Sequence, residues 1–259
     1  MDYYYNTRGD GIFGTGYGLL LDISLTTLWW LVVQLICDRF PDLSSYKLTQ
    51  AQILDTRNRQ MSFCHGLTIL ALCAYQALSS PVKCGDPTTP YEHFVLTLTT
   101  GYFIFDTLAM AWFGLLDREM FVHHSACILN AVVNLVLGVG ANYTILALLG
   151  AEISNPAMNL KAILRGVGKR YTRAYEVAEF AYFGTFFLGR VVAGHPIVYV
   201  SLTCESNNIL QKLCATFIIF QSYQFLYRIY FVIKSRMRER AERKEKKIKM
   251  GWFQPIPMT

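Results

Sequence analysis

The apolar residues of this chain are gathered into seven blocks, near 14–36, 62–80, 94–116, 121–138, 142–161, 177–200 and 208–233. Each is close to the ~20 residues that an α-helix needs to cross a ~30 Å hydrocarbon layer. Composition points the same way. Of 259 residues, 53% are hydrophobic and 16% charged, against roughly 45–50% and ~25% in soluble domains. That balance excludes a disordered chain and argues against a water-soluble enzyme, because too little polar surface is left to cover a core. The fold class that follows is all-α, a polytopic membrane bundle of about seven transmembrane helices. The first block lacks a basic leader and a small-residue cleavage site, so it reads as a retained span. Only a short turn with Gly138, Gly140 and Asn142 divides the fourth block from the fifth.

The basic residues orient this bundle. Nineteen Lys and Arg fall in the odd-numbered connections and the tail, from Arg39 to Lys249, whereas the opposite side has two, Arg8 and Lys83. The positive-inside rule then places the N-terminus in the lumen or outside and the C-terminus in the cytosol. Three stretches result: 1–56, an N-terminal segment with the first helix and a cytosolic loop; 57–234, the bundle; and 235–259, a basic cytosolic tail. In the tail, bases alternate with Glu239, Glu242 and Glu245, which reads as a continuation of the last helix lying against anionic headgroups. Topology accounts for this charge, so nucleic acid is not the implied partner. On the lumenal side, Asn142-Tyr143-Thr144 makes Asn142 a candidate glycosylation site. Of the seven cysteines, Cys84 and Cys204 alone lie in lumenal connections, so they are the candidates for a disulfide.

Ionisable and amide groups at bilayer depth cost free energy and therefore mark function more often than in soluble cores. Here they recur at helical spacing: His65 and Gln76 in the second block, Tyr102 and Asp106 in the third, Glu152, Asn155 and Asn159 in the fifth, Glu179 and Arg190 in the sixth. Stripes on four helices imply an interior pocket, placed in the cytosolic half by His65, Glu176 and the pair His123-His124, which sit near cytosolic ends. The adjacent histidines are the sharpest feature. One reading is a general base with a partner that orients it or binds substrate, with Glu152 as the carboxylate that holds a ring. The other is two interfacial imidazoles bonded to headgroups. No His pair at i, i+4 is present, so no metal site is assigned.

The segments Arg57-Asn58-Arg59, Ser62-Phe63-Cys64-His65-Gly66, Gly101-Tyr102-Phe103-Ile104-Phe105-Asp106, Val122-His123-His124-Ser125 and Glu152-Ile153-Ser154-Asn155-Pro156 resemble the TLC-domain family in order and spacing, from about Arg57 to Lys234. The nearest likeness is to its small single-domain members. For the family's ceramide synthases, the resemblance implies acyl transfer from acyl-CoA, with the paired histidines, here His123 and His124, as the catalytic centre. The chain departs from that pattern after the pair, where Glu152 stands and the synthases' aspartates are absent.

Two functions follow as expectations. The first is a lipid-binding protein that influences membrane lipid composition, its pocket formed by Arg59, His65, Asp106, Asn155, Asn159, Glu179 and Arg190. The second is an acyltransferase with acyl-CoA as co-substrate, in which His123 or His124 deprotonates the nucleophile and Glu152 orients it. A seven-helix receptor, suggested by Asp117-Arg118-Glu119 at the end of the third block, and a transporter, suggested by Pro156, rank below these. Membrane lipids are the expected partners, with a homodimer left open. The endoplasmic reticulum is favoured by the resemblance, with the plasma membrane as the alternative.

Overall fold

The computed structural model describes residues 16–39, 42–44 and 46–254. Arg8, the start of the first apolar block and the last five residues lie outside them. Among the described residues there are nine α-helices and no strand. They are α1 (Gly16–Cys37), α2 (Gln50–Ser79), α3 (Pro90–Trp112), α4 (Arg118–Leu137), α5 (Ala141–Glu152), α6 (Asn155–Gly166), α7 (Arg173–Phe186), α8 (Gly194–Thr203) and α9 (Ile209–Glu245). A π-helical stretch, Phe187–Val192, joins α7 to α8. Five helical segments are long and apolar enough to cross a membrane: α1, α2, α3, α4 and the run Arg173–Thr203.

Polar residues set the helix starts. Thr49 with Gln52, Thr89 with Glu92 and Asn208 with Gln211 form capping boxes, in which each side chain takes the other residue's backbone N–H. Asp117 and Thr172 cap α4 and α7. These caps explain two departures from the apolar blocks. Helix α2 begins at Gln50, well before the block at 62, so His65 lies at mid-helix instead of near its start. The tripeptide Asp117-Arg118-Glu119 does not end the third span: α3 stops at Trp112 and Asp117 is the cap of α4. The fifth block is two 12-residue helices, broken at Ile153-Ser154, with Pro156 in the first turn of α6, where a missing N–H costs nothing. Outside the helices, Ser44 donates its N–H and hydroxyl to Asp42, which holds that carboxyl below its usual range.

Helix α1 lies on α3, α3 on α4, and α2 on α5 and α6, while α9 closes the bundle against α4 and α8. The core of the first group includes Trp30, Met61, Ile69, Leu96 and Ile145, all buried. Trp30 Nε1 donates to the Leu98 carbonyl at 2.9 Å, which pins α1 to α3. The two backbones meet at Gly101, where a Cβ would lie 2.7 Å from the Thr26 backbone. A second close approach pairs Gly150 with Gly189, where a Cβ on Gly150 would lie 2.8 Å from the Gly189 carbonyl oxygen. Small residues at helix crossings are how membrane helices gain packing without a hydrophobic driving force.

The two ends of the bundle differ. At one, Cys84 and Cys204 form a disulfide, so α9 starts where the α2–α3 connection is tied. Asn142 is buried there, and its Nδ2, the atom a glycan would occupy, donates to Lys83 O at 2.8 Å. The folded chain therefore does not present Asn142 for glycosylation. The other end, called here the tail end, carries Glu119, Glu176 and Glu239, joined to Arg228, Arg240 and Arg236 of α9.

Candidate functional site

In the tail-end half of the bundle, α2 to α7, α9 and the π-helical stretch line a cavity of about 150 Å³. Asn58, Arg59 and Ser62 of α2 face Asp106 of α3, His123 and His124 of α4, and Glu152, Asn155 and Asn159 around the α5–α6 break. Arg190 enters from the π-helical stretch. Its Nη2 is 3.5 Å from the Ala151 carbonyl and its guanidinium lies 5.4 Å from the Phe186 ring. The walls between these groups are apolar and aromatic: Tyr102, Phe103, Tyr182, Phe186, Phe225 and methionines. The break at Ile153-Ser154 matters because it turns Glu152 and Asn155 inward together, with Asn155 Nδ2 donating to Glu152 Oε2 at 2.8 Å. The π-helical stretch adds a residue per turn and changes the phase between α7 and Arg190, a device found often at functional sites.

The histidines are held differently. His123 Nδ1 is 2.9 Å from Gln221 Oε1 on α9. An amide oxygen only accepts, so Nδ1 carries the proton and the neutral ring keeps its lone pair on Nε2. His124 is 2% exposed. Thr107 spends its hydroxyl proton on the Phe103 carbonyl at 2.6 Å and so accepts from His124 Nδ1 at 2.9 Å. That leaves His124 Nε2 facing Asp106 Oδ2 at 3.5 Å, two acceptors that one proton joins into a pair.

The carboxylate beside the pair is thus Asp106, and not Glu152 as the sequence suggested. Glu152 Oε2 lies 3.8 Å from His65 Nδ1, and the His65 ring is stacked on Tyr102 with centroids 3.5 Å apart. Glu179, unlike Glu152, does not line the cavity. It is fully buried one layer toward the tail end, 3.0 Å from Arg236 Nε, 3.9 Å from Lys161 Nζ and hydrogen-bonded to Tyr175. This ionic cluster ties α6, α7 and α9 together. Gln221 and Thr107 were missed in the sequence, and Asn58 entered there only within the segment Arg57-Asn58-Arg59, with no role at the site. A glutamine amid the apolar run of α9 was a usable signal; a threonine in α3 was not.

Four of the cavity's lining residues have a buried polar atom with no hydrogen-bond partner: Asn58 Oδ1, Asp106 Oδ1, Asn159 Oδ1 and Arg190 Nε. Beside them, His65 Nε2 is in the same condition. Buried polar atoms are nearly always satisfied, so this concentration marks where water or the polar group of a ligand completes the hydrogen bonding. Among the described residues, no group of three His, Cys, Asp or Glu is arranged to hold a metal ion.

The TLC domain matches residues 55–237, from the first turns of α2 into the extension of α9. The chain belongs to the TLC-domain family. With its long apolar helices, it is a multi-pass membrane protein. The matched region contains every residue of the TLC cavity, whereas α1 lies before it and packs on α3 from outside.

Proposed function

We propose that this TLC-domain protein binds a membrane lipid with its polar end in the cavity and so influences the lipid composition of its membrane. The observation that supports this is the cluster of unpartnered buried polar atoms, which offers both acceptors (Asn58, Asp106, Asn159) and a donor (Arg190) within aromatic walls. An ester, amide or hydroxyl of a lipid needs that mixture. A cavity of about 150 Å³ takes a group the size of benzene, and hence a polar end and not a whole acyl chain. The chain has a place outside. Phe225 lines both the cavity and a groove on the outer face between α4 and α9, where Val122, Phe217 and Phe220 lie. In this reading the tail end is cytosolic, the lipid comes from the cytosolic leaflet, and the endoplasmic reticulum is the favoured membrane. Mass spectrometry of lipid co-purified with the full chain, together with the lipidome of null cells, tests it. One enriched lipid class and a lipidome changed in that class are expected; no co-purified lipid and an unchanged lipidome would sink the proposal.

One observation favours a second reading, acyl transfer from acyl-CoA. With Nδ1 of His123 held by Gln221, its Nε2, 3.9 Å from Cys127 Sγ, can take a proton from an amine or hydroxyl, and the His124–Asp106 pair beside it can hold one. Labelled acyl-CoA added to membranes decides between the two. Product formation lost in both His123→Ala and His124→Ala supports transfer; none, or formation indifferent to both changes, removes it.

A further inference from the structure

The end of the chain does not trail away from the bundle. After α9, the left-handed backbone of Lys247 (φ 52°) reverses the direction, and Ile248 N–H donates to the Arg243 carbonyl at 3.0 Å. The returning segment docks on the start of α7, where the Gly251 and Trp252 carbonyls accept from Arg173 N–H (2.9 Å) and Ala174 N–H (3.2 Å). These are donors that the first turn of a helix leaves without partners. Between α7, the end of α9 and this segment lies a groove of about 980 Å³.

Five cations line it, Arg173, Arg240, Arg243, Lys244 and Lys249, against one carboxylate, Glu176. Glu176 accepts from Arg240 at 3.0 Å and from Arg243, which fixes both guanidinia toward the groove and leaves an excess of positive charge. The same groove has apolar walls. Val177 and Trp252 are each 58% exposed and Ile248 40%, and the Phe180 ring sits 4.2 Å from the Arg240 guanidinium. The apolar side continues along the outer surface of α7 to exposed Phe187 and Leu188 of the π-helical stretch. Topology asks only that bases lie on one side of the membrane. It does not ask that they converge on a fixed groove beside an apolar wall.

We infer that this groove is a binding site for the phosphate headgroup of an anionic phospholipid, with the cations on the phosphate and Val177, Ile248 and Trp252 against the adjoining hydrocarbon. A soluble phosphate compound would gain nothing from that wall, and arginines held by carboxylates suit a phosphate's paired oxygens. The site is separate from the cavity and does not depend on its reading.

The test uses the full chain purified from vesicles of phosphatidylcholine mixed with phosphatidylserine, with bound lipid measured by native mass spectrometry. Wild type retains phosphatidylserine over phosphatidylcholine by at least about fivefold, the effect of one base near an anionic headgroup. In the variant Arg173→Gln, Lys244→Gln, Lys249→Gln the preference is lost. In Arg238→Gln, Lys246→Gln, Lys247→Gln, which removes the same charge from positions outside the groove, it is kept. Absence of a preference in wild type, or equal loss in both variants, overturns the inference. A second measurement needs wild type alone: glycerophosphoserine, the headgroup without its chains, fails to displace the lipid at equal concentration. If it displaces the lipid, the groove takes soluble phosphates and the inference falls.

Discussion

Gln221 on α9 accepts a hydrogen bond from His123 Nδ1 on α4 at 2.9 Å, which joins the paired histidines to the last helix. Because both groups are largely buried, the bond matters more for what its loss leaves behind than for its own strength. Gln221→Leu strands the Nδ1 proton and lowers stability by about 1–3 kcal/mol. Adding His123→Leu recovers most of that loss, since an apolar pair replaces a polar one. Thermal unfolding of the two single variants and the double variant in detergent measures the coupling; additive losses would contradict it.

Among the described residues, Glu179 is the sole carboxylate within ion-pair distance of Lys161, and it also holds Arg236. Glu179→Gln leaves Lys161 facing a neutral amide at a site that is 1% exposed on the acid side, while Arg236 keeps Glu239 at 2.7 Å. A loss of roughly 3 kcal/mol is expected, discounted because Lys161 and Arg236 retain some access to water. Combining it with Lys161→Met restores part of the midpoint in the same unfolding assay. No shift in Glu179→Gln would mean that the cluster is structurally idle.

Two glycines separate packing from propensity. Gly101→Ala drives a methyl group into the Thr26 backbone and pushes α1 from α3, at a cost of about 1–3 kcal/mol. Gly184→Ala on α7 meets nothing within 4 Å and is neutral or gains up to ~1 kcal/mol. Unfolding midpoints that move the same way for both would refute the close approach at Gly101.

Much of the fold was legible because membrane helices announce themselves by apolar length, and the disulfide partners by their place in the connections. Helix starts were less so: Thr49 and Asp117 fix where α2 and α4 begin through hydrogen bonds that apolarity does not register. Stripes of polar residues identified most of the cavity, since Asp106, Glu152, Asn155, Asn159 and Arg190 do converge. The pairing among them was not legible. Helical spacing tells which residues share a face of one helix, whereas Asp106 meets His124, and Glu152 meets His65, across helices whose rotation is set by packing. Glu179 shares Arg190's stripe in sequence but not its surroundings, because Arg190 lies within the π-helical stretch, which changes its phase relative to α7.

The disulfide between Cys84 and Cys204 closes a separation of 120 residues. Replacing both with Ser removes that constraint from the unfolded chain and costs about 2–5 kcal/mol. Dithiothreitol lowers the unfolding midpoint of wild type and leaves the double Ser variant unchanged; equal midpoints with and without reductant would contradict the prediction.

The central claim is that unpartnered polar atoms in the cavity receive the polar end of a lipid, and lipid occupancy tests it most directly. Native mass spectrometry of the full chain would compare wild type with Asn159→Leu, Arg190→Met, in which one acceptor and one donor are replaced by apolar groups of similar size. The account predicts that the variant folds, as judged by its helix content and unfolding midpoint, and loses bound lipid by at least about tenfold, the equivalent of ~1.4 kcal/mol. A folded variant with the wild-type lipid at wild-type occupancy would contradict it.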